Sequence, residues 1–374
     1  MDGLQWQDGA IMAQGYPGYL TIDLQALVRN YRRLAALAAP AATAAVVKAD
    51  AYGLGAARVA PALAEAGCRH FFVAHAGEAL ALRPLLPPEA QLMVLNGLLP
   101  GSEAACAQAG IIPVLNSLEQ LANWQAMAAA SGQVLPALLQ FDTGMSRLGF
   151  APEERAALQR NLASGPSLDI RYVMSHLACA DEPAHSQNAA QLQEMRKVAA
   201  QFAPIPLCFA NSGGILLGPD YHGALVRPGI ALYGGAPAPA ADNPMEPVVR
   251  LDVAVIQTRR VGAGAAVGYS ASYVAPGEAR LATLAAGYAD GLPRSLSGRG
   301  AAYYQGVRLP ILGRVSMDSI TIDISALPED ALKLGSLVEM IGPHQTLEML
   351  AADAGTISYE ILTSLGHRYR RDYR

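Results

Sequence analysis

A chain of 374 residues, 52% hydrophobic, is ample for a large core and favours two domains, or one barrel with an addition, over a single small domain. Its formal net charge of −4 and pI near 6.0 offer no long-range attraction to nucleic acid or an anionic membrane, and its arginines are scattered except for the tail from Arg368 to Arg374. Cys68, Cys106, Cys179 and Cys208 are widely spaced and form no CxxC pair, so neither a zinc knuckle nor a disulfide framework is indicated and a reducing compartment fits best.

Met1 to Tyr19 carries two aspartates, no lysine or arginine and no long apolar run, so it does not read as a secretory signal. No later stretch of about 18 uninterrupted apolar residues suggests a membrane span, and the expectation is a soluble cytoplasmic protein. Residues 1–17 read as a flexible extension, with Met12 as an alternative start.

The regular pattern begins with a short strand over Gly18 to Asp23. Asp23 can cap the helix whose apolar positions Leu24, Leu27, Tyr31 and Leu34 recur at helical spacing. Eight apolar runs then alternate with helical stretches such as Glu154 to Ala163 and Gln187 to Phe202. The runs are Thr43 to Lys48, His70 to His75, Leu92 to Gly97, Ile111 to Asn116, Pro136 to Asp142, Ile170 to His176, Leu207 to Asn211 and Leu225 to Ile230. Strands apolar on both faces pair in parallel, and closure into an α/β barrel of the (β/α)8 TIM type removes both edges; a doubly wound open sheet is the alternative.

After Gly234 the composition changes to Ala-Pro-Ala-Pro-Ala-Ala-Asp-Asn-Pro, a stiff linker, which puts a domain boundary near residue 236. The remainder, 237–374, reads as a mostly antiparallel β domain. Its expected strands are Val249 to Val261, Arg280 to Ala286, Ala301 to Leu312, Arg314 to Ile324 and Ser336 to Ile341, followed by a helix from about Thr346 and a basic tail.

In a barrel the chemistry sits at the C-terminal ends of the strands, which is where Lys48, Asp142, His176, Asn211 and Arg227 fall. Lys48 stands out because the chain has only two other lysines, Lys197 on a polar helical face and Lys333 in an expected surface turn after Pro-Glu-Asp. An ammonium at the end of a buried strand is poorly hydrated, so its pKa falls towards the range where a free amine attacks a carbonyl and holds a cofactor aldehyde as an imine. By position alone, a lysine with its stem buried and its head in water reads equally well.

Taken together, these strand-end residues resemble the alanine racemase family, the fold-type III pyridoxal phosphate (PLP) enzymes, over nearly the whole chain from about Tyr19. Val46 to Gly55 is similar to that family's cofactor-lysine motif, Phe141 to Phe150 to its DTGM-x-R-x-G motif, and Val226 to Gly234 to its RPG-x-x-x-YG motif. Gly287 to Gly291, Gly313 to Asp318 and Tyr359 to Thr363 complete the set. On this resemblance the first strand, 18–23, joins the β domain although the barrel spans 18–236.

The resemblance implies that Lys48 carries PLP and serves as acid and base on one face of the substrate Cα, with Tyr269 on the other. Two opposed bases invert a stereocentre, because one removes the α proton and the other returns a proton from the far side. A free tyrosine, with a pKa of about 10, needs a cation or donor to act as a base, and the family pattern assigns that help to His176 and Arg227. Arg227 would face the pyridine nitrogen; a guanidinium donates a hydrogen bond there without protonating it, which weakens the electron sink and suits racemisation over transamination.

Asn211, Ser212, Gly229 and Ile230 offer backbone N–H groups and a hydroxyl to the phosphate, and Tyr52 and Tyr359 add phenols. Arg147 is the expected contact of the cofactor phenolic oxygen and the substrate carboxylate. Met317 would present its N–H to that carboxylate, with Tyr288 and Asp318 beside it. Tyr269, Tyr288 and Met317 would reach the cofactor of a second copy, which implies a homodimer with composite sites.

The chain departs from the family where many members have a carbamylated lysine: here stands Gln140, expected to orient Arg147 through a neutral hydrogen bond. Asp50 and Leu54 occupy positions where asparagine and histidine are common. The implied role is D-alanine supply for peptidoglycan or catabolism of L-alanine. The rival readings are a racemase for serine or another amino acid, a non-enzymatic PLP carrier, and a decarboxylase; the last expects a cysteine in the second domain, and there is none after Cys208.

Overall fold

The computed structural model describes residues 15–238 and 243–374. The N-terminal extension up to residue 14, Met12 with it, and residues 239–242 of the expected linker lie outside the described residues. Residues 23–248 form one compact unit, and the residues up to 22 together with 249–374 form the other.

The first strand, β1 (Gly18–Ile22), belongs to the sheet of the second of these units. After it Asp23 accepts the Ala26 N–H at 2.7 Å and starts the helix Leu24–Ala38, whose Leu27, Tyr31 and Leu34 are buried. Parallel segments follow: β2 (Ala42–Thr43), β3 (Ala45–Val46), β4 (His70–Val73), β5 (Gln91–Val94), β6 (Ile111–Leu115), β7 (Leu135–Gln140), β8 (Leu168–Met174), β9 (Leu207–Cys208) and β10 (Leu225–Val226).

The expected strand Thr43 to Lys48 is bonded on both sides: the N–H groups of Ala42, Ala44 and Val46 donate to the Ala224, Val226 and Pro228 carbonyls, and that of Val47 donates to the Phe72 carbonyl. β2 pairs with β10 through Ala42↔Leu225 and Thr43↔Val226, whereas β3 pairs with β4 through Ala45↔Phe71 and Val46↔Phe72. The earliest and latest parallel segments therefore meet, and the sheet closes into a TIM-like barrel. The wall is apolar on both faces: β6 is buried throughout, and Phe71, Phe72, Leu92 and Met93 are fully buried.

In the other unit the strands are β11 (Val249–Val261), β12 (Ala266–Val267), β13 (Tyr273–Val274), β14 (Ala279–Leu284), β15 (Ala301–Tyr304), β16 (Val307–Leu312), β17 (Ile320–Asp323), β18 (Leu337–Ile341) and β19 (Arg370–Tyr373). The main sheet runs β14-β17-β16-β15-β18-β11-β1-β19, and β11 also pairs with β14, so part of it curls back on itself. A register shift between Val255 and Gln257 lets β11 serve β1 and β18 with its first half and β14 with its second.

Two expected strands are corrected here. Ala301 to Leu312 is a hairpin, because Gln305 and Gly306 take φ of 49° and 81° and fold the chain back in a tight turn. Arg314 to Ile324 contributes only β17; Gly313, at φ 70°, lifts residues 314–318 out of the sheet. The basic tail is ordered, since β19 pairs in parallel with β1. Among the described residues no helix is long and apolar enough to cross a membrane.

Candidate active site

In the barrel unit Lys48 follows β3 by two residues, after Val47 has donated its N–H to the Phe72 carbonyl. The next four residues, Ala49, Asp50, Ala51 and Tyr52, have φ of 52°, 53°, 53° and 56°, one left-handed turn made without glycine. Left-handed helical backbone costs roughly 1–2 kcal/mol per L-residue and persists only where the surroundings fix it. Two carboxylates do so here: Glu78 Oε1 accepts the Ala49 N–H at 2.6 Å, and Asp50 Oδ1 accepts the Ala56 N–H at 2.7 Å, at the start of the helix Ala56–Glu65. Asp50 is thus a helix-start acceptor, and Leu54 is fully buried core.

The turn carries Tyr52 inward, where its ring lies 4.7 Å from that of Tyr233. A Cβ on Gly229 would overlap the Tyr52 hydroxyl, so the bare backbone there is what admits the phenol. Ser212 Oγ accepts the Gly229 N–H at 2.8 Å and lies 3.4 Å from the Ala231 nitrogen, which brings Ser212 and the Gly229-Ile230 turn together. Asn211 caps the helix Ser212–Leu217 by accepting the Gly214 N–H at 2.9 Å. A phenol, a hydroxyl and backbone N–H groups around a glycine make a cradle that suits a phosphate.

Arg227 is buried and held by its terminal nitrogens: it donates to the Cys208 carbonyl at 2.8 Å, to the Ser175 carbonyl at 2.7 Å and, at 3.4 Å, to His176 Nδ1. A guanidinium only donates, so Nδ1 is the acceptor and the imidazole proton sits on Nε2. Burial, Arg227, Arg147 and Lys48 together push the His176 pKa down to about 3, which keeps the ring neutral. Burial is also the first cause that lowers the Lys48 pKa, followed by Arg147; Glu78 opposes them and Arg227 adds to them. A half-buried amine destabilised as an ammonium, among cations and beside a phosphate cradle, can hold an anionic aldehyde and pass a proton.

Arg147 sits on a turn that Asp142 organises by accepting the N–H groups of Gly144, Met145 and Ser146 at 2.8–3.1 Å. Burial raises the Asp142 pKa, but these three donors and the Arg155 charge outweigh it and hold the carboxyl below its ordinary value. A depressed carboxyl stabilises the fold above its unfolded pKa, near 3.9, and that contribution fades as pH falls through the lower folded value. Asp142→Ala is therefore expected to cost about 1 kcal/mol at neutral pH, with the difference from wild type shrinking below about pH 4, as read by urea unfolding at both pH values.

The expected Gln140 to Arg147 bond is not formed. Gln140 is buried at the end of β7, whereas Arg147 is exposed on its turn, and among the described residues no hydrogen bond joins the two. A carboxamide cannot be carbamylated, so added bicarbonate is expected to leave the reaction rate unchanged; a bicarbonate-dependent rate would refute this.

Sequence reasoning missed the groups that hold these loops. Gln191, buried on the helix Ser186–Gln201, donates to Thr143 Oγ1 at 3.1 Å and to the His176 carbonyl at 2.9 Å, and it accepts the Ala178 N–H at 2.8 Å. Ser175 bonds Thr143 Oγ1 at 2.7 Å and the Phe141 carbonyl at 2.8 Å. Nothing local in the sequence marks either one, because their partners lie 13 to 48 residues away.

The other unit gathers the remaining candidates on adjoining turns. Tyr269 is 68% exposed, on a turn where Ser270 and Ala271 have φ of 59° and 46°, and Arg314 donates to Ser270 Oγ at 3.0 Å. The Tyr288 turn lies against Met317: the N–H groups of Tyr288 and Ala289 donate to the Ser316 and Met317 carbonyls at 3.0 Å. A Cβ on Gly287 would overlap the Ser316 carbonyl, so the approach requires glycine. Arg368 ties both turns, with two 2.7 Å bonds to buried Asp290 and one of 2.7 Å to Asp318. Tyr359 is half exposed on the helix Ser358–Ser364.

Residues 22–237 match the alanine racemase N-terminal domain and residues 248–373 the alanine racemase C-terminal domain. The chain belongs to the alanine racemase family. It is 65% identical over 361 residues to the protein called "Alanine racemase, catabolic" of Agrobacterium fabrum, covering 96% of this chain and 93% of that one. It is 57% identical to the alanine racemase of Brucella canis, over 98% of this chain and 96% of that one. Among solved structures, the alanine racemase from Bartonella henselae with covalently bound pyridoxal phosphate superposes with a TM-score of 0.92 at 46% identity, covering 96% of this chain and 99% of that one.

Proposed function

We propose that the chain is a PLP-dependent racemase that interconverts L- and D-alanine with two bases, Lys48 and Tyr269, on opposite faces of the substrate Cα. The observation that carries this reading is the half-buried Lys48, its ammonium destabilised by burial and by Arg147 and Arg227, in the same barrel mouth as Tyr52, Ser212 and Gly229.

The residues present fit pyridoxal phosphate: Lys48 for the aldehyde, Tyr52, Ser212, Gly229, Ile230 and the Asn211-capped turn for the phosphate, and Arg227 for the ring nitrogen, with Tyr359 as a further phenol. Bound there, the group supplies a sink for the electron pair left when the α proton departs. Lys48 takes or gives that proton on one face and Tyr269 on the other, while neutral His176 and Arg227 support the tyrosine. Arg147 and the Met317 N–H orient the substrate carboxylate, with Tyr288 and Asp318 beside it.

In this reading 18–236 is the cofactor barrel, with its first strand in the β domain, and 237–374 is the β domain. A homodimer completes the sites, with Tyr269, Tyr288 and Met317 of one copy serving the other, and the location is cytoplasmic. The high exposure of Tyr269 and Met317, at 68% and 52%, supports a second copy as their destination. Catabolic use of L-alanine is the favoured role, supported by the name of the Agrobacterium relative, and D-alanine supply for peptidoglycan is compatible with the same chemistry.

The test is optical rotation of L- and D-alanine with the PLP-loaded protein, alongside serine, arginine and lysine. Alanine is expected to racemise fastest. A protein that binds PLP and racemises none of them would instead be a carrier.

A further inference from the structure

We propose that Glu78 is a positioning residue for Lys48: its carboxylate clamps the left-handed turn that follows the lysine to the start of the neighbouring helix. The proposal rests on the reading of Lys48 given above and deepens it.

Glu78 is the third residue of the helix Ala76–Leu82, where a glutamate ordinarily folds back to its own helix start. One oxygen does this, since Oε2 accepts the His75 N–H at 3.1 Å and the Ala74 N–H at 2.8 Å. The other leaves the helix and takes the Ala49 N–H at 2.6 Å, the shortest of the three bonds and 29 residues away in sequence. Ala49 is the residue after Lys48 and the first of four consecutive left-handed residues. Capping the helix does not require that reach.

The geometry is specific to a carboxylate. All three partners are donors, so both oxygens must accept; a glutamine offers one oxygen and one NH2, and either Ala49 or the Ala74-His75 pair must lose its acceptor. The same replacement removes a charge. The groups that act on the Lys48 amine are Arg147 from the turn after β7, Arg227 after β10 and Glu78, with His176 after β8 also coupled to it. His75 lies next to Glu78 at the helix start. Glu78 opposes the two arginines, so its loss lowers the Lys48 titration further, while the freed turn loosens both Lys48 and Tyr52.

The experiment uses the small number of lysines, Lys48, Lys197 and Lys333. The full chain, freed of cofactor with hydroxylamine, is reductively methylated with 13C-formaldehyde, and the lysine signals are followed by NMR against pH, with Lys48→Arg assigning the Lys48 signal. Glu78→Gln is expected to lower the Lys48 midpoint by about half a pH unit or more and to raise the PLP dissociation constant about tenfold. Glu78→Asp keeps the charge but is one methylene too short to span both helix and turn, so it should shift the midpoint less while weakening PLP comparably.

A folded Glu78→Gln chain that matches wild type in either readout overturns the proposal. If that variant does not fold, hydrogen exchange in the wild type decides: the Ala49 amide is expected to be protected at least about 100-fold, and free exchange overturns the clamp. Borohydride reduction of the PLP-loaded wild type followed by peptide mapping tests the Lys48 reading separately, because the NMR titration needs no cofactor.

Discussion

Tyr269→Phe is expected to slow racemisation in both directions by roughly 10²- to 10⁴-fold, the range for loss of a general acid or base. Exchange of the α proton of D-alanine with deuterium oxide should nevertheless persist, because Lys48 still works on its own face. The variant should also fold and bind PLP normally. Tyr269 is 68% exposed and lies in the unit formed by the residues up to 22 and 249–374, so removal of its hydroxyl opens no core cavity. The decisive comparison is exchange against inversion, by NMR and optical rotation of the same samples. Loss of exchange from both enantiomers would mean that Tyr269 does more than serve one face, and unaltered racemisation would remove it from the mechanism.

The second large effect is a recovery. Lys48→Ala and Tyr269→Phe should each be close to inactive alone, yet their mixture should regain about one quarter of the wild-type rate when subunits exchange freely. In a composite site the Tyr269→Phe copy supplies Lys48 and the Lys48→Ala copy supplies Tyr269. Half of the dimers are mixed and each has one complete site of two, which gives the fraction. If each site were completed within one copy, no mixed dimer would contain an intact site and no activity would return. Subunit exchange is checked by mass spectrometry of differently tagged copies, so a negative result cannot be blamed on unmixed dimers.

The parallel sheet was legible because its strands are nearly continuous apolar runs, whereas its closure, which a doubly wound open sheet lacks, was decided by the pairing of β2 with β10. Polar residues such as Lys48, His176 and Arg227 stand out where an apolar run stops, but their roles were read from the motif resemblance, since by position alone Lys48 reads equally well as a solvated lysine. Element ends and pairings were less legible. Thr43 to Lys48 bonds to residues 224–228 on one side and to Phe71 and Phe72 on the other, a closure that no local pattern records. Ala301 to Leu312 looked like one strand because both arms of the hairpin are apolar, and the fold-back depends on the positive φ of Gln305 and Gly306.

The layer that supports the site could not be read at all. Glu78, Gln191, Ser175 and Arg368 are ordinary polar residues in the sequence, and their meaning comes from partners brought close by folding. Arg368, read as part of a basic tail, binds Asp290 and Asp318, 78 and 50 residues before it. Gln140 shows the converse, since a bond to Arg147 was expected from the family lysine whose place it takes, and yet no hydrogen bond joins the buried amide to the exposed guanidinium among the described residues.

By itself, then, the sequence carried the alternation of apolar runs with helices and the lysine at a strand end, because hydrophobic periodicity and residue type act locally and leave a one-dimensional trace. The kind of chemistry came from the resemblance of its motifs to the alanine racemase family. Only the tertiary structure decided which carboxylate holds the turn after Lys48, which proton His176 keeps and how the turns of Tyr288 and Met317 are tied. Those depend on single hydrogen bonds between distant segments, whose strength is set by burial and direction and by nothing a linear pattern can carry.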